Sequence, residues 1–311
     1  MNSEVNVVSQ KTTLKKKKVP KETLLGVLFT LPATLGFLIL TLIPMIASLF
    51  FSFTDYGIFN DPKFIGFQNY IDIFSETDLY FLKSLKATAY YTVLNVPATI
   101  LFSFALAMLL NSNIKFRALL RTVYYLPSIV PAVATSMIWL WMLNPDFGLV
   151  NSLLSKLGLP TSLWLFSEKT VIPTIVMIGL WGTGGTMVIF LAGLQGIPRQ
   201  YYEAIEVDGG TWFHKLFKIT IPLMTPTILF NTIMAIIGSF QVFTQAYIMT
   251  GGGPSDASLF YVFYLFREGF QRSRMGYASA LAWILFIIIL VFTVLIMKTQ
   301  KNWVYYEGEK N

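Results

Sequence analysis

Three acids stand close together in the stretch YEAIEVDGGTWFHKLFKITIP, residues 202–222: Glu203, Glu206 and Asp208. Carboxylates at this spacing could do acid–base work or hold a cation, and either use needs partners. The chain offers few. It has one histidine, His214, and no cysteine, which excludes disulfides, thiolate chemistry and His- or Cys-rich metal clusters. HExxH, GxSxG and DxDxDG patterns are absent. GGGPSD (251–256) lacks the Lys-Ser/Thr that completes a phosphate loop, and WGTGGTM (181–187) lies inside an apolar run instead of after a strand. No catalytic, metal or nucleotide-hydrolysing site follows from these residues. If the chain takes part in active transport, the energy comes from another polypeptide or from an ion gradient.

What must position these acids is a membrane chain. Of 311 residues, 55% are hydrophobic and 13% charged, with mean hydropathy +0.62. A soluble domain carries about a quarter charged residues. Six runs lack Asp, Glu, Lys and Arg: 23–54, 87–114, 122–145, 170–198, 219–255 and 275–297. Each exceeds the roughly 20 residues a helix needs to cross the hydrocarbon core. Lipid leaves backbone groups no other solution. The fold class expected is therefore all-α, with six transmembrane helices at about 24–53, 87–111, 119–143, 171–195, 221–249 and 276–298. The fourth stops at Gly196 and Pro198, and the fifth closes near Met249 because GGGP cannot continue a helix. A basic leader (1–22) and a tail (299–311) flank this six-span domain of 23–298.

Lys and Arg set the orientation. With the N-terminus in the cytoplasm, fifteen of the 23 basic residues fall on that side, including Lys15, Lys16, Lys17 and Lys18. The first outer loop is acidic, with Asp55, Asp61, Asp72, Glu76 and Asp78. Both termini are then cytoplasmic. The first apolar stretch is about twice as long as a signal-peptide core, and no A-x-A site follows, so it is a retained span. The leader lysines read as a topology signal touching anionic lipid, and not as a nucleic-acid contact.

Uncharged polar residues recur along the spans. Thr88, Thr92, Asn95 and Thr99 share one helical face, as do Thr227, Asn231, Gly238, Gln241 and Gln245, and Thr34, Thr41 and Ser48. Pro127 and Pro131, with Ser128, Thr135 and Ser136, mark a bent, polar third span. Small and hydroxylated residues also let helices pack closely, which suffices for the threonines and serines. Amides facing lipid are costly, so Asn95, Asn231, Gln241 and Gln245 are candidates for a solute path, with Trp181 beside Gly182 and Gly184. Trp139, Trp141 and Trp164 fit an interfacial belt. An uncharged lining suits neutral, hydroxyl-rich solutes. A secondary carrier usually keeps ionisable groups in its helices and a clear pair of broken half-helices, and neither is visible. A membrane enzyme would need an acidic or histidine constellation at a membrane face, which is also missing.

The acid-bearing stretch follows the fourth span and so lies in the cytoplasm. A plain connector takes a few residues, whereas this loop (198–222) has about twenty. It reads as a helix over 198–207, a turn at Asp208, Gly209 and Gly210, and a second helix over 211–218. Glu203 and Glu206 are one turn apart, on one face. The loop is either a solvated amphipathic connector or a docking element for a cytoplasmic partner.

Glu203-Ala204-Ile205, then Gly209, then Ile219, Ile221 and Pro222 resembles the EAA loop of permease subunits of binding-protein-dependent ABC importers. The pattern is EAA, three residues, Gly, nine residues, I-x-L-P. Ile205 stands for the second Ala and Ile221 for the Leu. SFTDY (52–56), FIGFQNY (64–70), FRALLRTVYYLPSIVP (116–131), LAGLQGIPRQYYEAIEVDGG (191–210), GGGP (251–254) and GYASALAW (276–283) are similar to carbohydrate-type permeases, in the pattern of the first of two permease subunits. No large outer domain is inserted between the early spans. The resemblance implies the type I ABC importer fold in a bacterial cytoplasmic membrane. It implies that Glu203, Ala204, Ile205, Asp208, Gly209 and Pro222 dock an ATPase. It also implies that Gly251, Gly252, Gly253 and Pro254 face a sugar-loaded binding protein. The partners implied are a second, homologous permease, two cytoplasmic ABC ATPase subunits that use the ATP and Mg, and the binding protein. This chain would bind no cofactor and would carry a sugar or oligosaccharide; a polyol or glycerol phosphate-like solute is the alternative.

Overall fold

The computed structural model describes residues 21–75 and 79–305. Residues 1–20 of the basic leader, Glu76 and Asp78 of the acidic loop, and 306–311 of the tail lie outside the described residues. Helices make up about three quarters of the described residues. Among the described residues the only β pairings are two isolated bridges, Thr54 with Phe64 and Gly57 with Asn60.

The chain divides into two compact units at Phe50–Phe51. The first is a single helical run: α1 (Lys21–Phe37), a π turn (Leu38–Leu42) and α2 (Ile43–Phe51). It is apolar all round, as a helix solvated by lipid requires.

In the second unit, α3 (Gln68–Phe74) precedes the long α4 (Leu79–Asn111), whose 33 residues span about 50 Å. α4 starts eight residues before the expected span because it takes in Lys83 and Lys86, which end the charge-free run without ending the helix. Long basic side chains extend from a helix end toward the interface. α4 packs against α8 (Val171–Trp181), α9 (Gly184–Gly196), α12 (Ile221–Phe240) and α13 (Tyr261–Phe266).

Two apolar cores lie toward the two ends of α4. Near its start, Phe81 and Tyr91 join Val171 and Ile175 of α8 and the wholly buried Leu259, Phe260 and Tyr261. Near its end, Phe104 and Leu110 join Met187 and Phe190 of α9 and Met224 of α12. Between them α4 is polar. Asn95 Nδ2 donates to Ser239 Oγ on α12 at 2.9 Å, while the hydroxyls of Thr92 and Ser103 are buried without a partner among the described residues.

The third and fourth spans are bent. α5 (Arg117–Tyr125) and the 3-10 turn Leu126–Ile129 meet α6 (Ala132–Met142) at 98°. Pro127 and Pro131 flank the corner, removing amide donors and excluding a continuous helix. α8 meets α9 at 52° across Gly182 and Thr183. A Cβ on Gly184 would sit 2.5 Å from the Tyr124 carbonyl oxygen and 2.8 Å from Tyr125 Cα, so α9 touches α5's end only because that residue is glycine. The bend in the third span follows the expectation from Pro127 and Pro131, whereas the break in the fourth at Gly182 and Thr183 was not foreseen, since no charge marks it. Counting each bent pair as one, the described residues hold up to six apolar spans.

The fifth span is helical from Trp212 to Phe240, through α11 (Trp212–Lys215), a π turn (Leu216–Thr220) and α12, and not as far as Met249. Gly238 and Ser239, both weak helix formers, precede the stop at Gln241. A separate π turn, Ala246–Thr250, follows. α13 and its π extension Arg267–Gln271 were too short to register as a span, yet Tyr261 and Tyr264 are among the largest fully buried side chains. Their neighbours include α14 (Met275–Thr299), where the Leu281 carbonyl accepts from the Tyr261 hydroxyl at 2.9 Å.

Candidate functional site

The loop between the fourth and fifth spans is built from α10 (Arg199–Val207) and α11, joined by a tight turn. Pro198 precedes the first helical residue. At its other end Gly210 N–H donates to the Ile205 carbonyl at 2.8 Å and Gly209 N–H to the Glu206 carbonyl at 3.1 Å. With Gly209 at φ +74°, this is a Schellman closure, which glycine adopts at least cost. A Cβ on Gly210 would lie 2.7 Å from Ile205 Cγ2, so the larger residue at position 205 is accommodated by the missing side chain at 210. α11 is capped by the chain's single histidine. His214 Nδ1 accepts from the Thr211 N–H at 3.1 Å.

One face of α10 is fastened to the root of the fifth span. Tyr202 Oη lies 3.0 Å from Thr220 Oγ1, and Thr220 Oγ1 donates to the Lys215 carbonyl at 3.1 Å, which makes Tyr202 the donor. The π turn sends the Ile221 N–H to the Leu216 carbonyl. Lys215 Nζ pairs with Glu206. Tyr202 and Glu206 are four residues apart and both reach the fifth span's root, Tyr202 half-buried and the Glu206 side chain still 58% exposed. Glu203, Ala204, Val207 and Asp208 are exposed, with Val207 88% exposed, and Trp212, Phe213 and Phe217 are exposed beside them. The acids Glu203 and Glu206, one turn apart, thus differ in their contacts. Glu206 pairs with Lys215, and Glu203 is exposed and joins no ion pair among the described residues.

A second feature lies at the corner of the third span. A cavity of about 220 Å³ is lined by Ser128, Thr135 and Ser136 of that span, Gly179 and Gly182 of the fourth, and Gln245. No charged side chain lines it. Close by, Trp181 packs edge-to-face on Trp139, ring centroids 5.9 Å apart, and stays 40% exposed.

Residues 99–302 match the family described as "Binding-protein-dependent transport system inner membrane component". The chain belongs to this family. It is 41% identical over 300 residues to the probable ABC transporter permease protein YesP of Bacillus subtilis, covering 95% of this chain and 96% of that one. It is 30% identical to the trehalose/maltose transport system permease protein MalF of Thermococcus litoralis, covering 90% and 95%. The fold is that of a chain in the crystal structure of a bacterial alginate ABC transporter in complex with alginate pentasaccharide-bound periplasmic protein. There the TM-score is 0.81 at 24% identity, over 90% of this chain and 95% of that one. The molecule is accordingly a multi-pass, non-catalytic permease subunit of an ABC transporter, with the type I fold.

The permease disperses the residues expected to line a path. Gln245 and Trp181 lie at or beside the corner cavity. Asn95 is engaged with Ser239. Asn231 is buried and donates to the Thr227 carbonyl of its own helix at 2.9 Å. Gln241 lines a different cavity, of about 440 Å³, with Val262, Leu265, Leu285, Phe286 and Ile289. The turn at Gly251, Gly252, Gly253 and Pro254 is closed by Gly253 N–H to the Thr250 carbonyl (3.0 Å) and Ser258 N–H to the Gly252 carbonyl (3.0 Å). Pro222 enters α12 directly after the π turn, where its missing N–H costs little. Trp164, expected in the belt, donates its indole N–H to Asn151 Oδ1 at 2.8 Å and so helps close an outer loop. Tyr202, Thr220 and Lys215 were missed. Their only sequence signal is the four-residue step from Tyr202 to Glu206.

Proposed function

We propose that this permease subunit conducts a sugar or oligosaccharide, delivered by a solute-binding protein, into the cytoplasm of a bacterial cell, driven by ATP hydrolysis in two partner ATPase subunits. It does so as half of a heterodimer with a second, homologous permease. The N-terminus and the loop at 198–222 are cytoplasmic. The observation that carries this reading is the loop: Glu203, Ala204, Val207 and Asp208 are presented outward, while Tyr202 and Glu206 bind the same helix to the fifth span. A partner gripping the outer face moves the span with it, because the clasp leaves no slack between them. ATP and Mg belong to that partner.

The solute class is supported by the lining. Three hydroxyls, one amide and two glycines line the corner cavity together with Pro127, Val130, Ala132 and Ile178, and two tryptophans lie nearby. These groups exchange hydrogen bonds with hydroxyls and stack on apolar sugar faces, and they provide no counter-charge for an ion. Two relatives are named for trehalose/maltose and arabinooligosaccharide transport. Reconstitution of the complete complex in vesicles tests the reading. ATP-dependent uptake of a labelled oligosaccharide that requires the binding protein supports it. Uptake driven by a sodium or proton gradient without the ATPases would overturn it.

A further inference from the structure

The loop between the third and fourth spans carries a short helix, α7 (Leu149–Lys156), whose two sides differ. On one side Asn151 is buried and makes four hydrogen bonds. Its Nδ2 donates to the Pro145 carbonyl at 3.2 Å and the Ser162 carbonyl at 2.9 Å. Its Oδ1 accepts from the Ser162 N–H at 3.2 Å and the Trp164 indole N–H at 2.8 Å. On the other side Leu149, Leu153 and Leu157 recur every fourth residue and are 47%, 51% and 72% exposed. Phe147, Leu159 and Leu163 are exposed around them. Between Leu143 and Ser167 the only charged residues are Asp146 and Lys156, where a water-facing stretch of that length would carry about six.

The depth of α7 decides what meets this stripe. Leu143, which caps α6, is wholly buried, and α7 begins soon after, at Leu149. Through Asn151 the helix is tied to Pro145, just past the third span, and to Trp164, just before the fourth. It is therefore held against the ends of two spans. The headgroup layer extends about 5–7 Å beyond the hydrocarbon on each side, and a helix tied there lies within it. The end of α6 also presents Met137 and Trp141, each 59% exposed, so apolar surface lies on the span end as well as on the loop. Lys156 closes α7 beside the stripe, where a long basic side chain reaches headgroup phosphate. Other occupants fit less well. Soluble proteins that bind and leave meet surfaces about as polar as the rest of the molecule, and leucines left in water invite aggregation.

We infer that α7 is an interfacial helix bound to the lipid surface, with Leu149, Leu153 and Leu157 sunk among the upper acyl chains and Lys156 among the headgroups. The inference does not depend on the solute or on the energy source. Its consequence falls on the corner cavity. The 3-10 turn Trp164–Phe166 and α6 both pack on the π turn Ala246–Thr250, so the loop that α7 anchors is joined to the segment following Gln245. Lipid contact at α7 fixes the depth of that frame in the membrane.

The test labels the complete complex in phospholipid vesicles. The chain has no cysteine, so with partner cysteines replaced a nitroxide on Leu153→Cys reports from one place. Dissolved oxygen, which concentrates in lipid, should relax that label several-fold more than a water-soluble nickel chelate, with or without the solute-binding protein. On Ser155→Cys, which lies across the helix, the order should reverse. Where Leu153→Cys fails to assemble, Leu157→Cys on the same stripe gives the same reading. A stripe label relaxed mainly by the chelate overturns the proposal, since the helix is then solvated. So does a stripe label that neither reagent reaches. Shielding at all times assigns the leucines to the second permease, and shielding that appears only with the binding protein assigns them to that protein.

Discussion

The Tyr202 hydroxyl donates to Thr220 Oγ1 across 3.0 Å, joining the first helix of the loop at 198–222 to the base of the fifth span. Thr220 passes the connection to the Lys215 carbonyl, and the Lys215 side chain returns to α10 at Glu206. Two short helices and the root of a long one thus form a single closed circuit.

Tyr202→Phe opens that circuit while keeping the ring. The lost hydrogen bond is worth about 1 kcal/mol, too little to unfold the chain. The expected outcome is unchanged membrane insertion with less solute moved per ATP hydrolysed, measured in vesicles. An unchanged ratio would show that the clasp plays no part in coupling.

Gly209 sits at φ +74°. Alanine there costs about 1–2 kcal/mol, and proline, fixed near φ −65°, does not fit at all. Gly209→Pro should abolish uptake and ATPase coupling without preventing insertion, with Gly209→Ala between it and the parent. Uptake at the parental rate in Gly209→Pro would sink the rigid-turn account.

The two acids of α10 should separate by phenotype. Glu203→Lys reverses the exposed charge and should abolish ATPase association, read by co-purification. Glu206→Gln removes a solvent-exposed ion pair, worth at most about 1 kcal/mol, and should leave association in place. Equal behaviour of the two variants would contradict the split between outward and inward faces.

Gln245→Leu replaces the one amide at the corner cavity with a group of similar size. The concentration of solute at half-maximal uptake should rise several-fold, with ATPase association intact. Identical uptake kinetics would remove Gln245 from the path.

Gly276 allows no side chain. A Cβ there would lie 2.1 Å from the Thr54 carbonyl oxygen, and the Gly276 N–H donates to the Tyr56 carbonyl at 2.8 Å. Because the atoms in the way are backbone, Gly276→Val should cost roughly 3 kcal/mol or more and lower the midpoint of thermal unfolding in detergent. A variant as stable as the parent would show that the first outer loop shifts freely.

The loop was legible because its signals are local. Pro198 and Gly209 act within a few residues, and the first helix and its turn form where they placed them, whereas the second expected helix runs without a break into the fifth span. Span number was legible for a different reason: lipid penalises charge over a fixed length. Features that depend on tertiary contact did not show. Lys83 and Lys86 hid the first turns of α4, although a helix tolerates lysines where they reach water. α13 is too short to cross lipid, and its burial comes from the helices around it. Nothing near Glu268 says that its charge is covered, because the covering arginines are four and six residues away in a segment that reads as loop.

The π turn at Leu216–Thr220 takes one residue more per turn than the α-helix on either side of it. It therefore sets the rotational phase between the docking face and everything beyond it. Removing one residue from LFKIT would turn α12 by about 100° relative to α10 and carry Ser239 away from Asn95. The same deletion in the irregular stretch Leu159–Ser162 would shorten a connection and rotate no helix. The stretch from Glu203 to Pro222 is thus a matter of timing as much as reach: each residue counts as an angle.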